Sequence, residues 1–284
     1  MYNILVTGSN GQLGSDIKLL SKKFKNYNYF YTDINDLDIS DIESVQKFVR
    51  NHKINIIINC AAYTSVDKAE TELELANKVN HMGVKNLALV AKKYFCKLVH
   101  ISTDYVFDGK KTTAYAEHDM PNPLSVYGKT KLAGEESLKT INPKNCIIIR
   151  TSWVYNKNGK NFVNTMLKLG QEKDEISVVD DQFGSPTNAI DLAEIILQIL
   201  PLINNKKISV FHYTNDGFCS WADFAKEIFK ISNINCLVNR VSSLDYPTEA
   251  KRPHFSVLDK SKIKEFFDIE IPSWEQSLTK MLKS

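Results

Sequence analysis

Two short segments carry side chains whose types and spacing suit proton transfer. Tyr127-Gly-Lys-Thr-Lys131 sets a phenol and an ammonium four residues apart, which on a helix places them on one face. An ammonium near a phenol stabilises the phenolate and lowers the tyrosine pKa from about 10. The phenol then serves as acid or base near neutral pH. Alone, the pair is weak evidence: the chain has 12 tyrosines and 36 Lys+Arg, so a chance surface pair is the default reading. Ser102-Thr103-Asp104, one loop upstream, ends an apolar run. A hydroxyl there could hold a substrate carbonyl oxygen.

A third segment suits a phosphate ligand. Gly8-Ser-Asn-Gly11-Gln-Leu-Gly14 lies between a strand pattern and a helix pattern. A pyrophosphate needs backbone N–H groups at a helix N-terminus with no Cβ in the way. The spacing is G-x-x-G-x-x-G, and glycines can turn a strand into a helix without any ligand, so the flanking elements carry the argument. Asp33 follows 19 residues beyond Gly14, where an acid accepts from adenosine ribose hydroxyls. A strand-end turn residue is its alternative reading. Its carboxylate repels a 2′-phosphate, which favours NADH over NADPH. Asp38 and Ile39, in the next loop, could border an adenine, although acidic loops are common.

These residues need a scaffold, and the hydrophobic pattern supplies one. Asn3–Thr7, Tyr29–Asp33, Ile54–Asn59, Lys97–Ser102 and Cys146–Arg150 read as strands. Leu13, Ile17, Leu20 and Phe24 fall at helical spacing. Ser40 and Glu43 form a capping-box pattern before Ile42, Val45 and Val49. Residues 71–94 and 125–139 also read as helices. Such alternation predicts an α/β fold, a doubly wound (Rossmann) parallel sheet buried on both faces. The domain reading is 1–153 for dinucleotide binding, with a return to the main sheet near 176–200. Residues 154–284 are mainly a smaller C-terminal substrate-binding domain. Ser220 and Asp223 cap a helix reaching about Ile231, and Pro247, Pro253 and Pro272 mark a loop-rich tail.

Composition excludes several classes. The net charge of +3 gives no support to a nucleic-acid or membrane partner. The five cysteines are odd in number and contain no C-x-x-C pair, so neither a disulfide framework nor a zinc site is expected. The six histidines are dispersed, and no metal site is expected. The opening MYNILVTGSNGQLG does not read as a signal peptide, and no apolar run is long enough to span a bilayer. A cytoplasmic location is the expectation. Oligomeric state stays open, a homodimer included.

The glycine loop, the strand-end hydroxyl and Tyr-x-x-x-Lys, in this order, resemble the extended short-chain dehydrogenase/reductase family. Five further blocks narrow the resemblance to its dTDP-4-dehydrorhamnose reductase branch. They are Asn59-Cys-Ala-Ala-Tyr-Thr-Ser-Val-Asp-Lys-Ala-Glu70, Ser102-Thr-Asp-Tyr-Val-Phe-Asp-Gly109, Val126-Tyr-Gly-Lys-Thr-Lys-Leu-Ala-Gly-Glu135, Arg150-Thr-Ser-Trp-Val-Tyr155 and Asp181-Gln-Phe-Gly-Ser-Pro-Thr187. The looser tail keeps Tyr246-Pro-Thr248 and Lys251-Arg-Pro253.

The resemblance implies reduction, by NADH or NADPH, of the C4 keto group of dTDP-4-dehydro-6-deoxy-L-mannose to give dTDP-L-rhamnose. It implies Tyr127 as proton donor, Lys131 on the nicotinamide ribose and Thr103 on the carbonyl oxygen. Asp104 and Trp153 match sugar contacts. Gly8, Gly11, Gln12, Leu13, Gly14, Asp33, Asp38, Ile39, Ala62, Tyr63 and Thr64 belong to the cofactor side. Tyr63 departs from the histidine of some relatives. Some relatives also bind magnesium between subunits through glutamates, and no matching set is found here. Arg252 has a bidentate fork that could meet the substrate diphosphate, with a surface salt bridge as its alternative. Trp221 and Trp274, at helix starts, read as packing. Two other functions stay open: a reductase of another dTDP-4-keto sugar, and a non-catalytic cofactor-binding regulatory subunit, like the companions of methionine adenosyltransferase.

Overall fold

The computed structural model describes residues 1–284. The chain opens β1 (Tyr2–Thr7), α1 (Gln12–Leu20), β2 (Tyr27–Thr32), α2 (Ile42–Asn51) and β3 (Ile56–Asn59). Short helices α3 (Val66–Ala69) and α4 (Leu73–Asn77) lead through a π-helical turn, Lys78–Gly83, into α5 (Val84–Tyr94). Then come β4 (Lys97–Thr103), α6 (Val126–Ile141) and β5 (Cys146–Thr151). The rest runs β6 (Val154–Tyr155), α7 (Phe162–Glu172), β7 (Glu175–Val179), β8 (Phe183–Gly184), β9 (Thr187–Asn188), α8 (Ala189–Ile199), β10 (Ser209–His212), β11 (Cys219–Ser220), α9 (Trp221–Ile231), β12 (Leu237–Val241), α10 (Ser261–Phe267) and α11 (Trp274–Leu282).

Six parallel strands form the main sheet in the order β10-β5-β4-β3-β1-β2. Alternation of side chains along each strand divides its apolar residues between two layers. Ile4 and Val6 pack toward α1 and α8, while Leu5 packs toward α2 and α5. The order reverses at β1, which has β2 on one side and β3 on the other. Open α/β sheets bind ligands outside the strand carboxyl ends at such a reversal. Residues 8–14 follow β1 and residues 60–64 follow β3, so both segments border it.

Three expectations change. The cap of α2 is Asp41, which accepts from the Glu43 and Ser44 N–H groups at 3.0 and 3.2 Å. Ser40 instead gives its hydroxyl to Asp38. Residues 71–94 are not one regular helix, because a π-helical turn interrupts them. The segment Ile176–Val179 does not return to the main sheet: it pairs with β12, Ile176 opposite Val238. The sixth main-sheet strand is β10, too short and too mixed in polarity to stand out. The helix near 188–200 does come back, as α8, packing on α1. A separate apolar cluster joins α7, α9, α11, β7 and β12 into a second lobe. No helix is long and apolar enough to cross a membrane.

Candidate active site

At Gly8 and Gly14 the turn has no room for a side chain. Gly8 has φ +63°, and a Cβ there would come within 2.6 Å of the Ala61 backbone. A Cβ at Gly14 would collide with the Gly8 carbonyl oxygen and lie 2.6 Å from the Ser9 Cα. No side chain caps α1 at Gly11, so its first N–H groups are available to an anion. Asp33 accepts from Asn10 N–H at 3.0 Å and from Ile34 N–H at 2.8 Å. It therefore ties the turn to the end of β2 as well as bordering it. Substituting Gly14→Ala is expected to weaken NAD(P)H binding about tenfold or more, because the neighbours it meets are backbone. Titration calorimetry checks this, and unchanged affinity would refute the cradle.

The other cofactor-side residues divide. Gln12 has its side chain turned to the second lobe, donating to the Val154 carbonyl at 3.2 Å and accepting from Asn161 at 2.9 Å. Leu13 and Ile39 are core residues. Asp38 pairs with Lys78 at 3.1 Å. Ala62 and Thr64 lie in the loop after β3. Tyr63 hydrogen-bonds through its hydroxyl to Glu72 at 2.6 Å. Its backbone is gripped by buried Asn80, which accepts from Tyr63 N–H and donates to Tyr63 carbonyl and to Thr130. Asn80 thus joins the post-β3 loop to α6. It escaped sequence reading because nothing local marks a π-helical turn.

The proton-transfer residues meet at the carboxyl end of β4. Thr103, its last residue, is buried and donates to Asp104 at 3.0 Å. Ser125 caps α6 by accepting from Gly128 N–H at 3.1 Å. Glycine at 128 lets the helix start abut Tyr105, whose carbonyl oxygen a Cβ would strike. The Tyr127 ring then meets Tyr105 edge-on at 5.6 Å. One turn later, buried Lys131 donates to the Ile101 carbonyl at 2.7 Å.

Here the expected electrostatics are corrected. Tyr127 is not lowered. Burial pushes its phenol up to about 12; the adjacent Thr103 hydroxyl draws it back only in part, and the Asp104 charge adds to the rise. Lys131 commits its ammonium to a backbone carbonyl, and burial lowers it to about 8 against the upward pull of Glu135 and Cys60. At neutral pH the Tyr127 phenol is therefore protonated, a state for giving a proton rather than taking one. Asp104 is pushed up to about 6 by burial, and its Oδ2 is buried without a partner. A buried free acceptor suits a ligand hydroxyl.

Two buried neighbours are given no role by the sequence reading. Glu135, one turn beyond Lys131, accepts from Arg150 Nε at 2.9 Å, from its terminal nitrogen at 2.7 Å and from Ser102 at 2.6 Å. Both charged side chains are essentially solvent-free. The signal was available: a lone Arg ending the apolar strand Cys146-Ile-Ile-Ile-Arg150 needs a buried partner. His212 donates through Nδ1 to the Tyr115 carbonyl, leaving Nε2 to accept from Arg150 at 3.4 Å. Burial and that guanidinium lower it to about 3, so it stays neutral.

The substrate-side residues lie along the same rim. Trp153 follows β5 by two residues and has φ +48°. Its indole stacks on Trp221 at 3.4 Å between centroids. Trp274 packs in the second lobe. Arg252 does not stand free for a diphosphate: its fork is taken by Asp67, at 3.0 and 2.7 Å. It still borders the site through Tyr105.

A parallel sheet with a glycine turn at its reversal and a Thr-Tyr-Lys group at its rim defines a Rossmann-fold oxidoreductase of the short-chain dehydrogenase/reductase class. Comparison with known proteins narrows this. The family model described as RmlD substrate binding domain matches residues 2–284. A curated dTDP-4-dehydrorhamnose reductase from Aggregatibacter actinomycetemcomitans is 42% identical, covering 98% of this chain and 97% of its own length. A dTDP-4-dehydrorhamnose reductase structure from Clostridium acetobutylicum superposes with TM-score 0.94 at 44% identity, covering 99% of this chain and 98% of that one. Another, from Bacillus anthracis in complex with NADP, gives TM-score 0.93 at 40% identity, covering 100% and 99%. The chain belongs to the dTDP-4-dehydrorhamnose reductase family.

Proposed function

We propose that this protein reduces the C4 keto group of dTDP-4-dehydro-6-deoxy-L-mannose (dTDP-4-dehydrorhamnose) with NADH or NADPH, forming dTDP-L-rhamnose. One observation carries the reading: Thr103, Tyr127 and Lys131 gather at the end of β4, on the same carboxyl edge of the parallel sheet as the glycine turn after β1, in a chain matched end to end by the family. The residues present fit a dinucleotide, because Gly8 and Gly14 leave a cradle that a Cβ would fill at an uncapped helix start. Gly8, Gly11, Gly14 and the N–H groups of Gln12 and Leu13 would hold the pyrophosphate. Asp33, Asp38 and Ile39 would border the adenosine, and Ala62, Tyr63 and Thr64 the opposite wall. When bound, the reduced nicotinamide supplies the hydride.

The protein's own part is to bind and protonate. Thr103 and Tyr127 hydrogen-bond the substrate carbonyl oxygen, stabilising the charge that develops there. Tyr127 then gives its phenolic proton to the forming alkoxide. A phenol titrating near 12 is still far more acidic than an alcohol, so the transfer runs downhill. Lys131 holds ribose hydroxyls and offsets the phenolate charge left behind. Asp104 accepts from a sugar hydroxyl, Trp153 flanks the sugar, and Arg252 meets the diphosphate if it exchanges Asp67 for it. In this reading residues 1–153 mainly hold the dinucleotide and 154–284 mainly the sugar nucleotide.

The test is to incubate the protein with dTDP-4-dehydrorhamnose and each reduced nicotinamide, follow absorbance, and identify the sugar by NMR. Absence of turnover, or a product other than dTDP-L-rhamnose, would overturn the assignment. A pH profile probes the lysine separately. Lys131, lowered to about 8, is charged below that value and loses its proton as pH rises through it. Accordingly kcat/KM, which reports the free enzyme, is expected to fall on the alkaline side near pH 8. In Lys131→Arg the guanidinium stays charged, and that limb should move upward. An identical limb in the variant would exclude Lys131 as its source.

A further inference from the structure

The Trp153–Trp221 stack has a use that proton transfer does not explain. The two indoles lie 3.4 Å apart with planes inclined by 10°. Trp153 adopts φ +48°, a backbone conformation rare for a bulky side chain and held only where surroundings over-determine it. Gly184 makes room for the ring, since a Cβ there would lie 2.6 Å from it. Trp221 covers it, and Phe162 backs Trp221 at 4.6 Å. Phe162 and Trp221 each open a capped helix, with Asn161 capping α7 and the Ser220 box capping α9. Asn161 also bonds Gln12 in the glycine turn. The stack is therefore braced from the second lobe, at the edge where Thr151 lies opposite Thr103. Both indoles stay partly exposed.

We propose that Trp221 is a positioning residue. By holding Trp153 as a rigid wall, it sets affinity for the apolar C–H and methyl face of a 6-deoxyhexose and leaves the hydride step untouched. The inference rests on the reading of Trp153 as a sugar contact. An indole wall removes such a face from water, and its benefit depends on its being fixed before the ligand arrives.

The experiment compares wild type, Trp221→Ala and Trp221→Phe. In Trp221→Ala, KM for dTDP-4-dehydrorhamnose is expected to rise about tenfold, which corresponds to about 1.4 kcal/mol. Its kcat and NAD(P)H affinity should stay within about threefold, and Trp221→Phe should restore most of the loss by keeping a ring. A KM unchanged in Trp221→Ala, or a loss confined to kcat, would overturn the proposal. A second readout covers a variant that fails to fold. The chain has three tryptophans, so the exciton couplet of the stacked pair can be followed by circular dichroism. It should be present in wild type, absent in Trp221→Phe, and retained when dTDP-L-rhamnose binds wild type, because the wall is fixed in advance. A couplet lost or inverted by bound ligand counts against the wall. Wild type that turns over no dTDP-4-dehydrorhamnose would fail the functional reading itself, whereas active wild type with an indifferent Trp221→Ala fails this inference alone.

Discussion

Tyr127→Phe is expected to lower kcat about 10²–10⁴-fold, the range of a positioned general acid, while NAD(P)H still binds. The substitution deletes one oxygen, keeps the ring against Tyr105, and leaves Ser125 capping α6. The loss is therefore chemical rather than structural. To bind the carbonyl oxygen Thr103 must turn its single hydroxyl proton away from Asp104, and an alcohol is far too weak an acid to take over the role of the phenol. Single-turnover measurement with saturating substrate checks the step, and titration calorimetry checks the cofactor. Turnover within a few-fold of wild type would remove Tyr127 from the mechanism. So would a variant that loses cofactor binding in proportion to rate.

Glu135→Ala is expected to destabilise the fold by about 3–5 kcal/mol, as removing one partner of a buried ion pair does. Arg150 would keep its charge in a solvent-free site, with only the long 3.4 Å contact to His212 and the Phe107 ring 5.1 Å away. Ser102 would lose its acceptor as well. The double variant Glu135→Leu with Arg150→Met should recover much of the loss, since paired apolar replacements avoid the stranded charge. Urea titration with one slope fitted to all variants measures both. Equal losses in the single and double variants would mean that volume, not charge, sets the cost. Because Glu135 lies on α6 one turn past Lys131, the single variant also threatens the seating of the reactive helix. Activity should fall before global unfolding in the same titration.

Much of the machinery was legible because it is local. The glycine turn, the strand-end Thr103 and the Tyr127/Lys131 spacing are each short segments whose geometry follows from helix and strand periods. The five strands of the first half were readable as apolar runs, because parallel strands are buried on both faces. β10 was not, since Ser209 and His212 frame only two apolar residues. The fate of Ile176–Val179 was hidden for a related reason: an apolar run does not name its partner, and β12 lies about 60 residues later.

What the sequence by itself determined is the order of elements, the glycine turn and the Tyr127/Lys131 spacing on one helix, all set by residues near one another along the chain. What only the tertiary structure decided is how those groups behave. Lys131 was expected to make Tyr127 acidic, yet burial raises the phenol and sends the ammonium to Ile101. For Arg252 the sequence leaves a diphosphate contact and a salt bridge open, and the fold pairs its fork with Asp67, on α3. Trp221 packs, as its place at a helix start suggests, but only the fold shows that it packs on the strained Trp153. Charge, desolvation and ring contact all depend on distances through space, and a linear chain does not state those distances until it has folded.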